Sequence, residues 1–132
     1  MTKEELIKKI FSYKKNKAQL DIYKDKLEEL TYKITQSYSG MPVSNCINSK
    51  NENYILKKEN YEENIRNLDK DIKIVDRAMS TLRKNEFELI TLRYIEGYTP
   101  SEVYNVFLHM SKKTFFRHHN NAIEKMLDVI NI

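Results

Sequence analysis

The chain has 132 residues, of which only two are glycine and two are proline, and its formal net charge is +4. So few turn-forming residues exclude a turn-rich protein, and 32% charged with 40% hydrophobic residues favours long helices with narrow apolar seams over one thick core. The mild positive charge is compatible with a polyanionic partner but does not by itself predict one.

The single cysteine, Cys46, excludes an intramolecular disulfide and is typical of a reducing compartment. The first residues are not followed by the apolar run of a signal peptide, and no stretch approaches the roughly 20 apolar residues that span a bilayer. We therefore expect a cytoplasmic protein without a membrane partner.

Residues 2–37 contain no glycine or proline and predict one long amphipathic helix. Thr2 and Glu5 have the spacing of a capping box at its start. The other faces are rich in lysine, which we interpret as a solvated surface, with phosphate or partner contact as the alternative. Apolar residues recur at every seventh position, namely Leu6, Tyr13, Leu20, Leu27 and Ile34.

A turn is predicted at about residues 38–50, where Gly40 and Pro42 interrupt the helical pattern. A second helix is predicted from residue 51 to about 83, and its apolar residues alternate in steps of four and three, namely Tyr61, Ile65, Leu68, Ile72, Val75, Met79 and Leu82. We favour an antiparallel helical hairpin over residues 1–83, for dimerisation or partner binding. Because an apolar seam does not specify which helix packs against it, pairing with a second copy of the chain remains the alternative.

Shorter helical patterns follow in residues 84–132. The first predicts a helix over residues 85–95 that ends at Gly97, with Phe87, Ile90 and Tyr94 facing inward.

The next helix has a strong start signal, with Thr99 as N-cap, Pro100 at the first helical position and Glu102 three residues after the cap. Ser111 is the predicted N-cap of the last helix. The apolar side of the middle helix is predicted to comprise Val103, Val106, Phe107 and Met110. Three helices with a short turn between the second and third predict a helix-turn-helix domain over residues 84–132.

The front of the last helix is the candidate DNA-binding surface, because no acidic residue occurs between Glu102 and Glu124. Lysine and arginine neutralise phosphates or donate to guanine, asparagine pairs with adenine, and an exposed phenylalanine can meet a thymine methyl group. Backbone N–H groups of the first turn can also bind a phosphate. The predicted DNA-binding residues are Ser111, Lys112, Lys113, Thr114, Phe116, Arg117 and Asn120. The alternative is a solvated helix face.

His118 and His119 are adjacent, so their side chains point about 100° apart on a helix and cannot bind a metal ion as a pair. We expect one of them to contact phosphate or solvent and the other to pack at the edge of the core. The chain has no Gly-rich phosphate loop, no Cys/His metal spacing and no activated nucleophile. Neither a cofactor nor enzymatic activity is therefore expected.

Several segments of the last third of the chain resemble region 4 of bacterial primary sigma factors. They resemble still more closely the phage transcriptional regulators of the ArpU and RinA type, at residues 92–97 (LRYIEG), Thr99, 111–115 (SKKTF), Arg117 and 122–126 (AIEKM). The resemblance implies activation of late phage genes, with Lys112, Lys113, Phe116 and Arg117 facing DNA. The chain departs from the pattern at the usual turn glycine, where it has Leu108 and His109.

We therefore predict an all-α protein in which a long, coiled-coil-like hairpin precedes a sigma-region-4-like helix-turn-helix. The predicted function is sequence-specific DNA binding in transcription regulation, with double-stranded DNA as the partner. RNA polymerase, or a homodimer through the hairpin, is expected to raise the affinity. Two alternatives remain: a sigma-like subunit that acts only with RNA polymerase, and a protein-interaction adaptor whose helix-turn-helix does not bind DNA.

Overall fold

The computed structural model describes residues 1–38 and 47–132, and the side chains of residues 1–36 and 52–132. Gly40, Pro42 and Cys46 of the predicted turn lie outside the described residues. The described residues form helices and no strand, so the all-α prediction is confirmed.

Six helices follow one another in the described residues. They are α1 (Lys3–Phe11), α2 (Tyr13–Tyr38), α3 (Ile47–Met79), α4 (Lys84–Ile90), α5 (Pro100–Glu102) and α6 (Lys112–Ile130). Two of them continue as π-helical turns, α4 through Thr91–Ile95 and α5 through Val103–Phe107.

The three helix starts that were predicted from a capping residue are confirmed. Thr2 caps α1, and its hydroxyl oxygen accepts from the N–H of Glu5. Thr99 caps α5, with Pro100 in the first turn. Ser111 caps α6. Each hydroxyl satisfies a backbone N–H that has no partner within its own helix, which is why these residue types begin helices.

The two long helices differ from their predicted bounds. The first is interrupted at Ser12, whose N–H donates back to carbonyl oxygens of α1. The second ends at Met79 and not near residue 83. Beyond it, the hydroxyls of Ser80 and Thr81 donate to carbonyl oxygens of Arg77 and Ala78 at 2.6 and 2.8 Å. These side chains satisfy the last carbonyls locally, so the helix does not continue.

The chain divides into two compact units. The first unit comprises Met1–Lys15 and Asp71–Ile132, and the second comprises Asn16–Lys70. The helices of residues 84–132 therefore pack together with residues 1–15 and 71–83, which the sequence pattern assigns to the hairpin. The division into functional domains at residue 83 stays a prediction.

The core of the first unit joins residues from both ends of the chain. Leu6 and Ile10 of α1 are fully buried, as are Leu89 and Ile90 of α4. The same cluster includes Val75, Ala78, Met79, Tyr94, Val103, Phe115, Ala122, Ile123 and Met126. Burying each large apolar side chain contributes about 1.5–3 kcal/mol, so α1 is an integral part of this unit.

Polar contacts hold α1 at both of its ends. The ammonium group of Met1 donates to Asn131 Oδ1 at 2.9 Å. Past the other end, Lys14 Nζ lies 2.7 Å from a carboxylate oxygen of Glu96. Exposed ion pairs contribute at most about 1 kcal/mol. These contacts therefore orient α1, while the buried leucine and isoleucine hold it in place.

The second unit contains parts of both predicted seams. Leu20 and Leu30 are buried, and the rings of Tyr23 and Tyr61 lie 6.1 Å apart between their centroids. The seams of α2 and α3 therefore meet at this point. Antiparallel pairing along their whole length stays a prediction.

On α4 a glutamate is buried where a phenylalanine was expected. Phe87 is 46% exposed, so the prediction that it faces inward is wrong, whereas Glu86 is buried. The Glu86 carboxylate accepts from Lys125 Nζ at 2.8 Å and from the N–H of Arg83 at 3.3 Å. Burial raises the pKa of Glu86, but the bonds from Lys125 and Arg83 outweigh this effect and hold the pKa below its ordinary value.

The ends of the two π-helical turns have the same geometry. Gly97 follows the first with a φ of 81°, and His109 follows the second with a φ of 48°. The N–H of Tyr98 donates to Leu92 O at 3.0 Å, and the N–H of Met110 donates in the same way to the oxygen of Tyr104 at 2.9 Å. His109 thus occupies the left-handed conformation that the missing turn glycine would adopt.

Replacing these two residues should change stability in opposite directions. A non-glycine residue in the left-handed conformation costs about 1–2 kcal/mol of folding free energy. Glycine avoids this cost, but its greater freedom in the unfolded chain offsets about 0.4–1 kcal/mol of the gain. We expect His109→Gly to raise the free energy of unfolding by about 0.5–1 kcal/mol. Gly97→Ala should lower it by about 1 kcal/mol, although an added Cβ would meet nothing within 4 Å. Chemical denaturation measures both, and destabilisation by His109→Gly would contradict the strain at this turn.

Candidate nucleic-acid interface

The first turn of α6 is held by two of the predicted DNA-binding residues. Ser111 has extended backbone geometry, and its hydroxyl oxygen accepts from the N–H of Thr114 at 3.2 Å. The Ser111 hydroxyl also donates to Thr114 Oγ1 at 2.8 Å. The structure therefore places these two side chains against each other, where they fix the direction in which the helix begins.

The buried face of α6 follows the helical period. Its five buried residues are Phe115, His119, Ala122, Ile123 and Met126. Spacings of three and four place these side chains on one side of the helix, and the intervening residues must face away from it.

The other predicted DNA-binding residues are all exposed, namely Lys112, Lys113, Phe116, Arg117 and Asn120. Lys113 and Arg117 point away from the buried face, whereas Lys112 is exposed because it lies in the first turn. The three cations form no ion pair with any other described residue. Phe116 is 39% exposed, and its ring packs edge-on against Phe115 with centroids 5.1 Å apart. This face therefore combines unpaired positive charge with a partly exposed aromatic ring.

The helix before the turn is more exposed than its pattern predicts. Val103 is fully buried, but Val106 is 61% exposed and Phe107 is 41% exposed, so the expected inward side of this helix is wrong at these two positions. The cause is the π-helical turn over Val103–Phe107, whose i→i−5 bonding accommodates an extra residue and rotates the later side chains around the axis. Phe107 still packs against Tyr98, with ring centroids 4.5 Å apart.

A chain of hydrogen bonds runs from the core to this face. The hydroxyl of Tyr94 is bonded to Nε2 of His119, and Nδ1 of His119 lies 3.1 Å from Oδ1 of Asn120. His119 is only 8% exposed, and its ring stacks on Phe115 at 6.0 Å. The expectation that one of the adjacent histidines packs at the edge of the core is confirmed for His119. Its link to Asn120 was not predicted.

Burial sets the protonation states in this chain. It lowers the pKa of His119, and the positive charges of Lys3 and Arg93 lower it further, while the hydrogen bond with Asn120 acts in the opposite direction. Burial also raises the pKa of Tyr94 above its ordinary value. The imidazole is therefore neutral and the phenol protonated near neutral pH.

In the part of the chain that the structure describes, no three His, Cys, Asp or Glu residues converge on a common metal position. No helix in that part is long and apolar enough to cross a membrane.

The buried histidine should make stability depend on pH. Below the ordinary histidine pKa of about 6.5, the unfolded chain binds a proton that folded His119 does not, so the free energy of unfolding should fall as pH falls from 7 to 5. His119 should contribute up to about 1.4 kcal/mol per pH unit to this slope. Glu86, whose pKa is lowered, destabilises the folded chain only as pH falls from the ordinary carboxyl range downward, mostly below this window. Denaturation of wild type and His119→Gln at several pH values tests this, and equal slopes would contradict it.

Comparisons with known proteins place the chain in a family without assigning it an activity. No curated protein and no solved structure matches the chain. One family model matches residues 3–128, and its description is "protein of unknown function (DUF722)". The match covers nearly the whole chain, including α6 and the face that carries Lys113 and Arg117. The chain belongs to the DUF722 family.

Proposed function

We propose that the protein binds duplex DNA with sequence specificity through α6 and regulates transcription. The observation that carries this proposal is the group of three exposed cations at the front of α6, Lys112, Lys113 and Arg117, none of which pairs with a described acidic residue. Cations kept apart from acids are suited to an anionic partner.

The dimensions and the approach of α6 fit a DNA groove. The helix has 19 residues, which is about 28 Å, and a major groove about 12 Å wide admits one helix. The short α5 and a tight turn precede it, as in helix-turn-helix proteins, where the front of the second helix meets the base edges. The cap formed by Ser111 leaves other N–H groups of the first turn available to a phosphate.

The exposed residues suit different parts of DNA. Lys113 and Arg117 are four residues apart and lie on one line of the helix surface. Lys112, at the first helical position, is suited to a phosphate, whereas Arg117 is long enough to donate to guanine. Phe116, held edge-on by Phe115, presents an apolar edge to a thymine methyl group.

The small number of cations on α6 indicates that the protein does not act on DNA as an isolated monomer. If three phosphates were neutralised, the logarithm of the binding constant would fall with the logarithm of salt concentration with a slope of only about −2.7. So small a slope corresponds to weak binding. A second copy of the chain or RNA polymerase would raise the affinity by adding a second contact to DNA. The role as an activator of late phage genes rests on the resemblance to the ArpU and RinA regulators.

Removing two of the cations should weaken DNA binding and its salt dependence together. We expect Lys113→Ala/Arg117→Ala to lower affinity roughly tenfold or more and to reduce the slope by about 0.9, since Lys113 contacts a phosphate and Arg117 a base. The matched control is Arg66→Ala/Lys70→Ala, which removes the same charge at the same spacing from exposed positions on α3. Selection from random duplex DNA and binding at several salt concentrations measure both effects.

The outcomes separate the candidate functions. A motif enriched by wild type and by the control, but not by the α6 variant, supports DNA reading through this face. Enrichment only when RNA polymerase is present would indicate a sigma-like subunit. If neither condition yields a motif, sequence-specific DNA reading is wrong, and the helical interaction adaptor becomes the function to test.

A further inference from the structure

The contact between His119 and Asn120 restricts how Asn120 can meet DNA. A free asparagine amide offers both a donor and an acceptor, and this pair matches adenine. Here the oxygen lies 3.1 Å from a ring nitrogen of a residue that is 8% exposed, while Asn120 itself is exposed. The question is which of the two groups bears the shared hydrogen.

The hydroxyl of Tyr94 determines which group bears this hydrogen. Its hydroxyl is bonded to Nε2 of His119, and no other hydrogen bond is available to it among the described residues. Tyr94 is 6% exposed, so a hydroxyl hydrogen without an acceptor there would cost about 1–3 kcal/mol. Tyr94 therefore donates, and Nε2 of His119 accepts.

The remaining assignment follows from the chemistry of neutral imidazole. When one ring nitrogen is an acceptor, the other carries the hydrogen. The surroundings keep the ring neutral, because it is buried and the charges of Lys3 and Arg93 disfavour a second proton. Nδ1 of His119 therefore donates to Asn120, and the group that receives this bond must be the amide oxygen.

We propose that His119 is a positioning residue that holds Asn120 with its oxygen toward the core and its NH₂ group outward, so that Asn120 recognises guanine and not adenine. This inference rests on the proposed function. Guanine presents two acceptors, N7 and O6, in the major groove. Adenine presents an amino group beside N7, so only N7 can accept from the NH₂ of Asn120, and the adenine amino group would face a second donor.

The hydrogen assignment can be tested without DNA. A two-bond ¹H–¹⁵N spectrum of the histidine rings in the full chain distinguishes protonated from bare nitrogens. We expect Nδ1 of His119 to be protonated and Nε2 to be bare. The opposite tautomer would overturn the proposal whatever the protein binds.

The base preference is tested by selection from random duplex DNA with wild type and Asn120→Ala. Each column of the selected motif gives the base preference at one DNA position. The column whose preference is lost, and so becomes flat, in Asn120→Ala is the position that Asn120 reads. In wild type we expect guanine there over adenine by roughly five- to tenfold, the lower range for one specific contact. Adenine at this column would overturn the proposal, and so would weaker binding without any flattened column, because Asn120 would then contact phosphate.

Releasing Asn120 should change the preference. Tyr94→Phe/His119→Phe removes both buried polar groups and keeps two aromatic rings in the core, which is less disruptive than removing one partner. With its oxygen free, Asn120 should then shift this column toward adenine. Retained guanine preference in a folded double variant, checked by circular dichroism and thermal melting, would mean that His119 does not position Asn120.

Failure of this inference is distinct from failure of the proposed function. If wild type enriches no motif, DNA reading through α6 is wrong. If wild type enriches a motif that Lys113→Ala/Arg117→Ala abolishes, but the Asn120 column is adenine, then DNA reading stands and only the role of His119 is wrong.

Discussion

Burial of one face of α6 is the constraint on which the candidate site depends. Phe115, Ala122 and Met126 are almost completely buried, and burying a side chain as large as Phe115 contributes about 1.5–3 kcal/mol. Like charges four residues apart, as at Lys113 and Arg117, cost only a few tenths of a kcal/mol. Apolar burial therefore outweighs the repulsion between the cations, and the helix keeps them in a row facing away from the core.

The sequence predicts the beginnings of helices better than their ends. Thr2, Thr99 and Ser111 cap helices as expected, because a hydroxyl that satisfies a free N–H is a local interaction. The π-helical turns that end α4 and α5 have no comparable residue signal. Their i→i−5 bonds are fixed only when the following turn packs, and the expected inward positions of Val106 and Phe107 fail for this reason.

The candidate site also consists of a part that the sequence predicts and a part that it does not. The exposed positions of Lys113 and Arg117 follow from the helical period and could be predicted, whereas Lys112 is exposed because it is the first residue of α6. The link from Tyr94 through His119 to Asn120 could not. A histidine at a core-facing position of the pattern is a visible signal, but its partner lies 25 residues earlier in the chain. Nothing in a single sequence pairs two polar residues across that separation.

The place of α1 in the core of the first unit has a consequence for biosynthesis. Leu6 and Ile10 are covered by a cluster whose other members all come from residue 75 onward. During translation, α1 leaves the ribosome early. Its apolar face stays uncovered until α6 has been synthesised, because the residues that cover it lie later in the chain. Closing so large a loop costs chain entropy before any contact offsets it, so this unit should fold late and slowly for a helical protein. Until then, the uncovered apolar face of α1 makes the nascent chain prone to aggregation.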